Sequence, residues 1–281
     1  MKPQHPAVSP TLRVFLLVLL ILATFLVVSP FMALPRGVLA ENPTLTKTTV
    51  AYLPVINRQM AVANPCGPIP NESYGTLSVN PPSSDRPAEA HPDLNLGLRG
   101  YTFIGEARQL VDYGGSSDAS APQLAGLFAN QRGPNFTATY RVYEWDWAGS
   151  RPGALVSNPP VTLVGLAASV GETLHVPSSG YTIGDGYEVL VLYVGADRIT
   201  LKYTREDNVV QGYTLHVENI CPEPRLLQLY NEMVSAGRQR LPALRAGQAF
   251  GRARGDQVGV AIRDHGSFMD PRSRKDWWRG Y

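Results

Sequence analysis

The sequence predicts an all-β fold, a sandwich or barrel-like sheet assembly, with one covering α-helix near residues 223–236 and a hydrophobic signal or anchor helix at the N-terminus. Three observations lead there. Short runs of β-branched and aromatic residues recur between turn residues from about residue 91 onward, the pattern of half-buried strands. A single stretch after Pro222 and Pro224 carries apolar residues at helical spacing. The first 40 residues start basic, run apolar and leave through small residues, the layout of an export signal.

The N-terminal segment sets the compartment. Lys2 and Arg13 precede an uncharged run from Val14 to Val28. As a helix it would rise about 22 Å, short of a hydrocarbon core of about 30 Å, whereas continuation to Leu34 would give about 31 Å. Pro30 favours a break, and Val38-Leu39-Ala40 offers a cleavage point. Residues 1–40 are therefore a cleaved signal peptide or a retained membrane anchor, with a tether through residues 14–34 in the second case. Either way the flanking positive charges stay inside and the remainder is extracytoplasmic, secreted or anchored in the cell membrane. Cys66 and Cys221 belong to no Cys-x-x-Cys pair and, in an oxidising compartment, are expected to form one disulfide; two buried free thiols are the alternative.

Residues 41–90 are rich in Pro, Asn and Ser and read as a linker that partly docks on the domain. Within them Thr49–Ile56 could form a short strand, confined to an edge by Pro54. Residues 91–281 form the β-rich domain, divisible into subdomains at 91–180 and 181–281. Its strands are expected at Tyr140–Trp147, Val161–Leu166, Tyr187–Val194, Arg198–Arg205 and Gly212–Glu218, with a tight hairpin at Gly195-Ala196-Asp197. Leu226, Leu227, Leu229, Tyr230, Met233 and Val234 make the apolar stripe of the covering helix, which Gly237 can end. A weaker helix is expected over Pro122–Asn130.

Charge is uneven. Residues 225–281 carry eleven Lys and Arg against five acids, a local +6 in a chain of net charge +2. An outward basic face would attract an anionic surface such as lipid headgroups or a cell-envelope polymer; a solvated arginine-rich surface is the plain alternative. Nucleic acid is disfavoured as a partner because export removes it.

In Tyr143-Glu-Trp-Asp-Trp147, period-two alternation places Tyr143, Trp145 and Trp147 on one face. Exposed, such a row could stack on sugar rings; buried, it would supply core. Glu144 and Asp146 share the other face of one strand, so they do not form a glycosidase pair, which spans a cleft. His175 and His216 sit in alternating runs, where each could line a sheet face, and Asp264-His265-Gly266 reads as a turn. There is no Gly-x-Ser-x-Gly elbow, no P-loop and no His-Glu-x-x-His.

Residues 212–271 resemble the end of a lysostaphin-type (LytM-like) zinc metallopeptidase domain. The pieces are Gly212-Tyr-Thr-Leu-His-Val-Glu218, Leu229-Tyr230, Ala246-Gly-Gln-Ala-Phe-Gly251, and Val258–Pro271 with its closing Gly266 and Asp270-Pro271. The resemblance implies a zinc site built from a His-x-x-x-Asp element and a His-x-His pair. The matching stretches here are His91-Pro-Asp-Leu-Asn95, with Asn95 for the carboxylate, and Val258-Gly259-Val260, with no imidazole. Catalytic zinc needs three protein ligands and an open position, so the resemblance implies a degenerate, non-catalytic member. No catalytic, cofactor-binding or metal residue is assigned, and no cofactor is expected. The expected function is an exported envelope- or surface-associated binding or structural domain, with a metallopeptidase-type cell-wall hydrolase as the alternative.

Overall fold

The computed structural model describes residues 64–281; the signal or anchor segment and the strand expected at Thr49–Ile56 lie outside the described residues. Within that range the protein is mostly antiparallel sheet with few helices. The strands are β1 (Gly75–Ser78), β2 (Tyr101–Ile104), β3 (Phe136–Asp146), β4 (Arg151–Leu155), β5 (Leu163–Ala167), β6 (Thr173–His175), β7 (Val189–Val194), β8 (Arg198–Lys202), β9 (Tyr213–Glu218), β10 (Ile220–Pro222), β11 (Arg240–Leu244), β12 (Ala249–Ala253), β13 (Gln257–Asp264) and β14 (Ser267–Met269). The helices are α1 (Leu96–Arg99), α2 (Pro224–Ser235) and α3 (Arg274–Trp277). No helix of the described residues is long and apolar enough to cross a membrane.

One large sheet runs β1-β11-β7-β8-β9-β13-β5-β3-β2, with β14 added to β13 and β4 to β3; a second sheet is β10-β12-β6. Strands from both sequence halves meet at the β5–β13 pair, where Gly165 lies opposite Gly259. β1, drawn from the Pro-rich stretch, pairs with β11 along Leu77↔Leu241 and closes one edge. The hairpin at Gly195–Asp197 joins β7 and β8 through the Gly195 N–H donating to the Arg198 carbonyl at 2.9 Å.

The centre of the large sheet is covered on both faces. Every residue of β9 is buried. On one face Leu201, Leu215, Val217, Val258, Val260 and Ile262 join the main apolar core, which also holds Phe250 and Trp278. The other face is buried yet polar, with Thr200, Lys202, Thr214, His216, Glu218 and Arg263 brought into line by the β8–β9–β13 register. Each buried Leu or Val side chain contributes about 1.5–3 kcal/mol, so the first face drives folding, whereas the second must satisfy its polar groups internally or cost stability.

The covering helix matches its expected position. The Glu223 carboxylate accepts from the Arg225 and Leu226 N–H groups at 2.7 and 3.1 Å and so caps α2, with Pro224 in its first turn. Leu226 and Tyr230, four residues apart, are its buried pair, and the Tyr230 hydroxyl donates to the Leu192 carbonyl on β7 at 3.2 Å. Gly237, at φ +93, follows its end. The helix expected over Pro122–Asn130 shortens to a 3-10 turn at Leu124–Leu127, where burial recurs every three residues, at Leu124 and Leu127 and at Ala125 and Phe128, the 3-10 period. The strand expected to reach Arg205 stops at Lys202, and Tyr203–Arg205 turn out of the sheet.

Cys66 and Cys221 are bonded, with Cα atoms 4.9 Å apart across 155 residues. The bridge fastens the entry segment to β10. Next to it β10 and β12 approach so closely that a Cβ on Gly251 would lie 2.7 Å from the Cys221 carbonyl oxygen, so only glycine fits. On the chain-entropy model a loop of this length gains on the order of 5 kcal/mol from the cross-link. Peptide mapping without reductant should recover Cys66 and Cys221 in one linked fragment, and replacing both with serine should lower the unfolding free energy by up to that amount. Two freely alkylated thiols in protein taken from its native compartment would contradict the assignment.

Candidate functional site

The polar face of the large sheet is capped by residues 88–99. The Asp93 carboxylate accepts from Arg99 Nη2 at 2.5 Å and from Arg263 Nη1 at 2.7 Å. Burial pushes its pKa up, but the two guanidinium groups outweigh that and hold it at about 2. Both guanidinium groups also lie against the Phe268 ring, at 5.8 and 4.7 Å from its centroid.

His216 lies deeper on the same face. Thr200 donates its one hydroxyl hydrogen to the Leu94 carbonyl at 2.6 Å, so His216 Nδ1, 3.0 Å from that hydroxyl, carries the ring hydrogen. Nε2 is then a bare acceptor, buried and unpartnered. Burial, reinforced by Arg263, pushes the imidazole down to about 3. Glu218 sits 3.4 Å from Arg198 Nε without hydrogen-bond alignment, and burial pushes its carboxyl up to about 7 against the pull of Arg198. Burial likewise lowers Lys202 to about 8; its Nζ donates to the Gln211 carbonyl.

Where β8, β9 and β13 end, beyond Lys202, a cavity of about 480 Å³ opens. Its wall comes from distant segments: Tyr203 and Arg205 after β8, Tyr213 at the start of β9, Asp264 at the end of β13, and Asp118 and Tyr181 from long loops. Tyr181 and Tyr213 both donate to Asp118 Oδ2, at 2.6 and 3.0 Å, and the Ser120 N–H donates to Oδ1 at 2.7 Å. Burial opposes ionisation of Asp118, but these three hydrogen bonds hold its carboxyl below the usual carboxylate range. The two rings stand 6.4 Å apart at 43°. The Tyr203 hydroxyl donates to the Pro177 carbonyl at 2.9 Å. Arg205 donates from Nε and Nη2 to the Ser78 carbonyl at 2.9 and 2.6 Å. The β13–β14 hairpin turns on His265 and Gly266, both at positive φ, and leaves Asp264 paired with His265 at 2.7 Å on the rim. The volume lies within the usual range for small-molecule sites.

A second cavity of about 430 Å³ lies between β14 and α3. Its two carboxylates are already taken, Asp270 by Arg272 Nη2 at 2.7 Å and the Tyr113 hydroxyl at 2.6 Å, and Asp276 by the Ser273 hydroxyl at 2.6 Å and Lys275 Nζ at 2.9 Å.

Of the aromatic row expected from the sequence, β3 carries Tyr143 and Trp145, two residues apart, and ends at Asp146, so that Trp147 lies in the following turn; the register irregularity beside them adds a residue to β4. Tyr143 and Trp145 are half-buried, the Trp145 indole N–H has no partner, and Trp147, 51 % exposed, packs edge-on to His91 and under Arg86.

The positions matched to zinc ligands also lie apart. Val258 and Val260 point into the apolar core, on the face opposite His216. His91 Nδ1 accepts from the Asp93 N–H at 3.1 Å, and Asn95 caps α1 by accepting from the Gly97 N–H at 3.2 Å. His175 belongs to the second sheet and His216 to the first. Among the described residues no group of three His, Cys, Asp or Glu side chains could hold a metal ion. The basic excess of residues 225–281 is partly internal, since Arg238, Arg263 and Arg272 are buried and paired with Asp207, Asp93 and Asp270.

Comparison with protein families, curated proteins and solved structures finds no significant match. The tyrosine-lined cavity was not visible in the sequence. Asp118 and Tyr213 are 95 residues apart, and no spacing rule joins them.

His216 and Glu218 make opposite contributions to pH dependence. A histidine held at about 3 excludes a proton that the unfolded chain takes up, so its stability is present above pH 6.5 and is lost as pH falls toward 3. A glutamate held at about 7 keeps a proton that the unfolded chain releases, so stability falls as pH rises from 4.5 to 7. Native stability should be nearly flat from pH 4.5 to 6.5 and fall below that range, where Asp93 adds to the loss. Glu218→Gln should remove the opposing contribution, so that its stability relative to native grows across pH 4.5–7 by on the order of 3 kcal/mol in urea titrations. A difference that does not change with pH would contradict the assignment.

Proposed function

We propose that the chain is an exported, envelope- or surface-associated binding domain without catalytic activity, with the tyrosine-lined cavity as its ligand site. One observation carries this reading: the Tyr181 and Tyr213 hydroxyls converge on one half-exposed carboxylate, Asp118, in the wall of a 480 Å³ cavity. Side chains from three distant segments are organised there around a space open to a ligand.

Export is supported by the N-terminal charge and hydropathy layout and by the bonded cysteines, which persist in oxidising compartments. The two sheets share one apolar core, which favours a sandwich-like arrangement. The non-catalytic reading, that of a degenerate relative of the LytM-like peptidases, draws on Val258 and Val260 in the core, on Asn95 as a helix cap and on the inaccessible His216. The partner is an envelope polymer or an envelope protein rather than nucleic acid.

The test is capture of envelope fractions by the full chain. Native protein should retain material that Tyr181→Ala, a change at a half-exposed position, releases at least fivefold more readily. Equal retention by the variant would place the site elsewhere. Accumulation of new peptide or glycan ends during incubation would overturn the non-catalytic reading.

A further inference from the structure

We propose that the cavity receives an alkylammonium group, primary or quaternary, seated against the Tyr181 and Tyr213 rings with Asp118 as its counter-charge. The inference rests on the reading of this cavity as the ligand site and specifies what that site takes.

The first support is a census of hydrogen-bonding groups. Tyr181 and Tyr213 have each used their single hydroxyl hydrogen on Asp118, and Tyr203 has used its own on Pro177. Nε and Nη2 of Arg205 are held by Ser78, and Asp264 is paired with His265. A saccharide needs many free, directional donors and acceptors; here the three phenols, the guanidinium and the rim carboxylate are engaged, and the buried Thr204 hydroxyl is left without a partner. The π faces and the net charge stay available, and neither needs a fixed hydrogen-bond direction.

The second support is the sign of the field. Two carboxylates, Asp118 and Asp264, line the cavity against one guanidinium, Arg205, whose position is fixed by the Ser78 backbone. Desolvation and the hydrogen bond to Asp118 both push the Tyr213 phenol up, and for Tyr181 the hydrogen bond to Asp118 leads; the site thus disfavours further negative charge. A phenol that donates to an anion also carries a more electron-rich ring, which strengthens attraction to a cation over its face.

The third support is geometry. Ring centroids 6.4 Å apart at 43° form an open wedge, and a cation seated in it can lie within about 6 Å of both. Tyr181 is 44 % exposed and Tyr213 only 9 %, so the wedge has a fixed wall and an accessible one.

The experiment is an amide NMR titration of the full chain with tetramethylammonium chloride and with butylammonium chloride, against sodium chloride at equal ionic strength and methyl glucoside as a neutral probe. Saturable shifts at residues 118, 181 and 213 are expected with the ammonium salts, in the millimolar range. Tighter binding of tetramethylammonium would point to a choline-type headgroup, and tighter binding of butylammonium to a lysyl side chain. Asp118→Asn, which keeps the shape and removes the charge, should weaken binding about tenfold, and Tyr181→Leu by a similar factor; Tyr181→Phe, which keeps the ring, should weaken it less than Tyr181→Leu. Native affinity in Asp118→Asn, or shifts no larger than those from sodium chloride, would overturn the proposal. Shifts at these residues with methyl glucoside but not with the ammonium salts would overturn the ammonium class and leave the cavity as the site. Silence at these residues with every probe would overturn both.

Discussion

The Asp93 carboxylate is the charged tie between the covering segment and the large sheet, beside the hydrogen bond from Thr200 to the Leu94 carbonyl. It joins Arg99 on the cover to Arg263 on β13, and both guanidinium groups are almost wholly withdrawn from water. Moving such charges out of water costs several kcal/mol each, and removing one member of a buried set typically costs about 3–5 kcal/mol. With the carboxylate in place, residues 88–99 can close over Thr200, His216 and Glu218, and the strand centre can be buried on both faces. The apolar face supplies the driving force; the polar face specifies where the cover sits.

The same arrangement separates two kinds of site. Deep under the cover, His216 is neutral, hydrogen-bonded through Nδ1 and shut off from solvent. Residues with shifted pKa values are often functional, but these have no opening to a substrate, and their shifts follow from burial. Beyond Lys202 the strands end and the cover stops. There Tyr203 and Arg205 leave the sheet and, with Tyr213 at the start of β9, meet Asp118 and Tyr181, so that strand termini rather than the polar face supply the accessible chemistry.

Much of the fold was legible in the sequence because burial imposes periodicity. β7, β9 and α2 lie within a residue or two of their expected spans, and Cys66 and Cys221 pair as compartment and count suggested. Where the alternation ended, local geometry had intervened: β3 stops at Asp146, and the turn that follows takes Trp147 out of a row that simple period-two counting continued. Val258 and Val260, which stand where the resembled family has its His-x-His pair, share the apolar face of β13. The cavity was illegible for a different reason. Asp118 comes from a Gly- and Ser-rich loop with no periodic signal, and Tyr181 and Tyr213 look like ordinary loop and strand residues until tertiary packing brings them to it.

Amide hydrogen exchange on the full chain carrying Asp93→Asn tests the central claim most directly. The substitution keeps the side-chain shape but leaves Arg99 and Arg263 without their shared counter-charge. Exchange at residues 94–99 should accelerate markedly, with a global loss of stability on the order of 3–5 kcal/mol. Native protection across that segment, at native stability, would show that the cover is held by its apolar residues and that the Asp93 bridge is incidental.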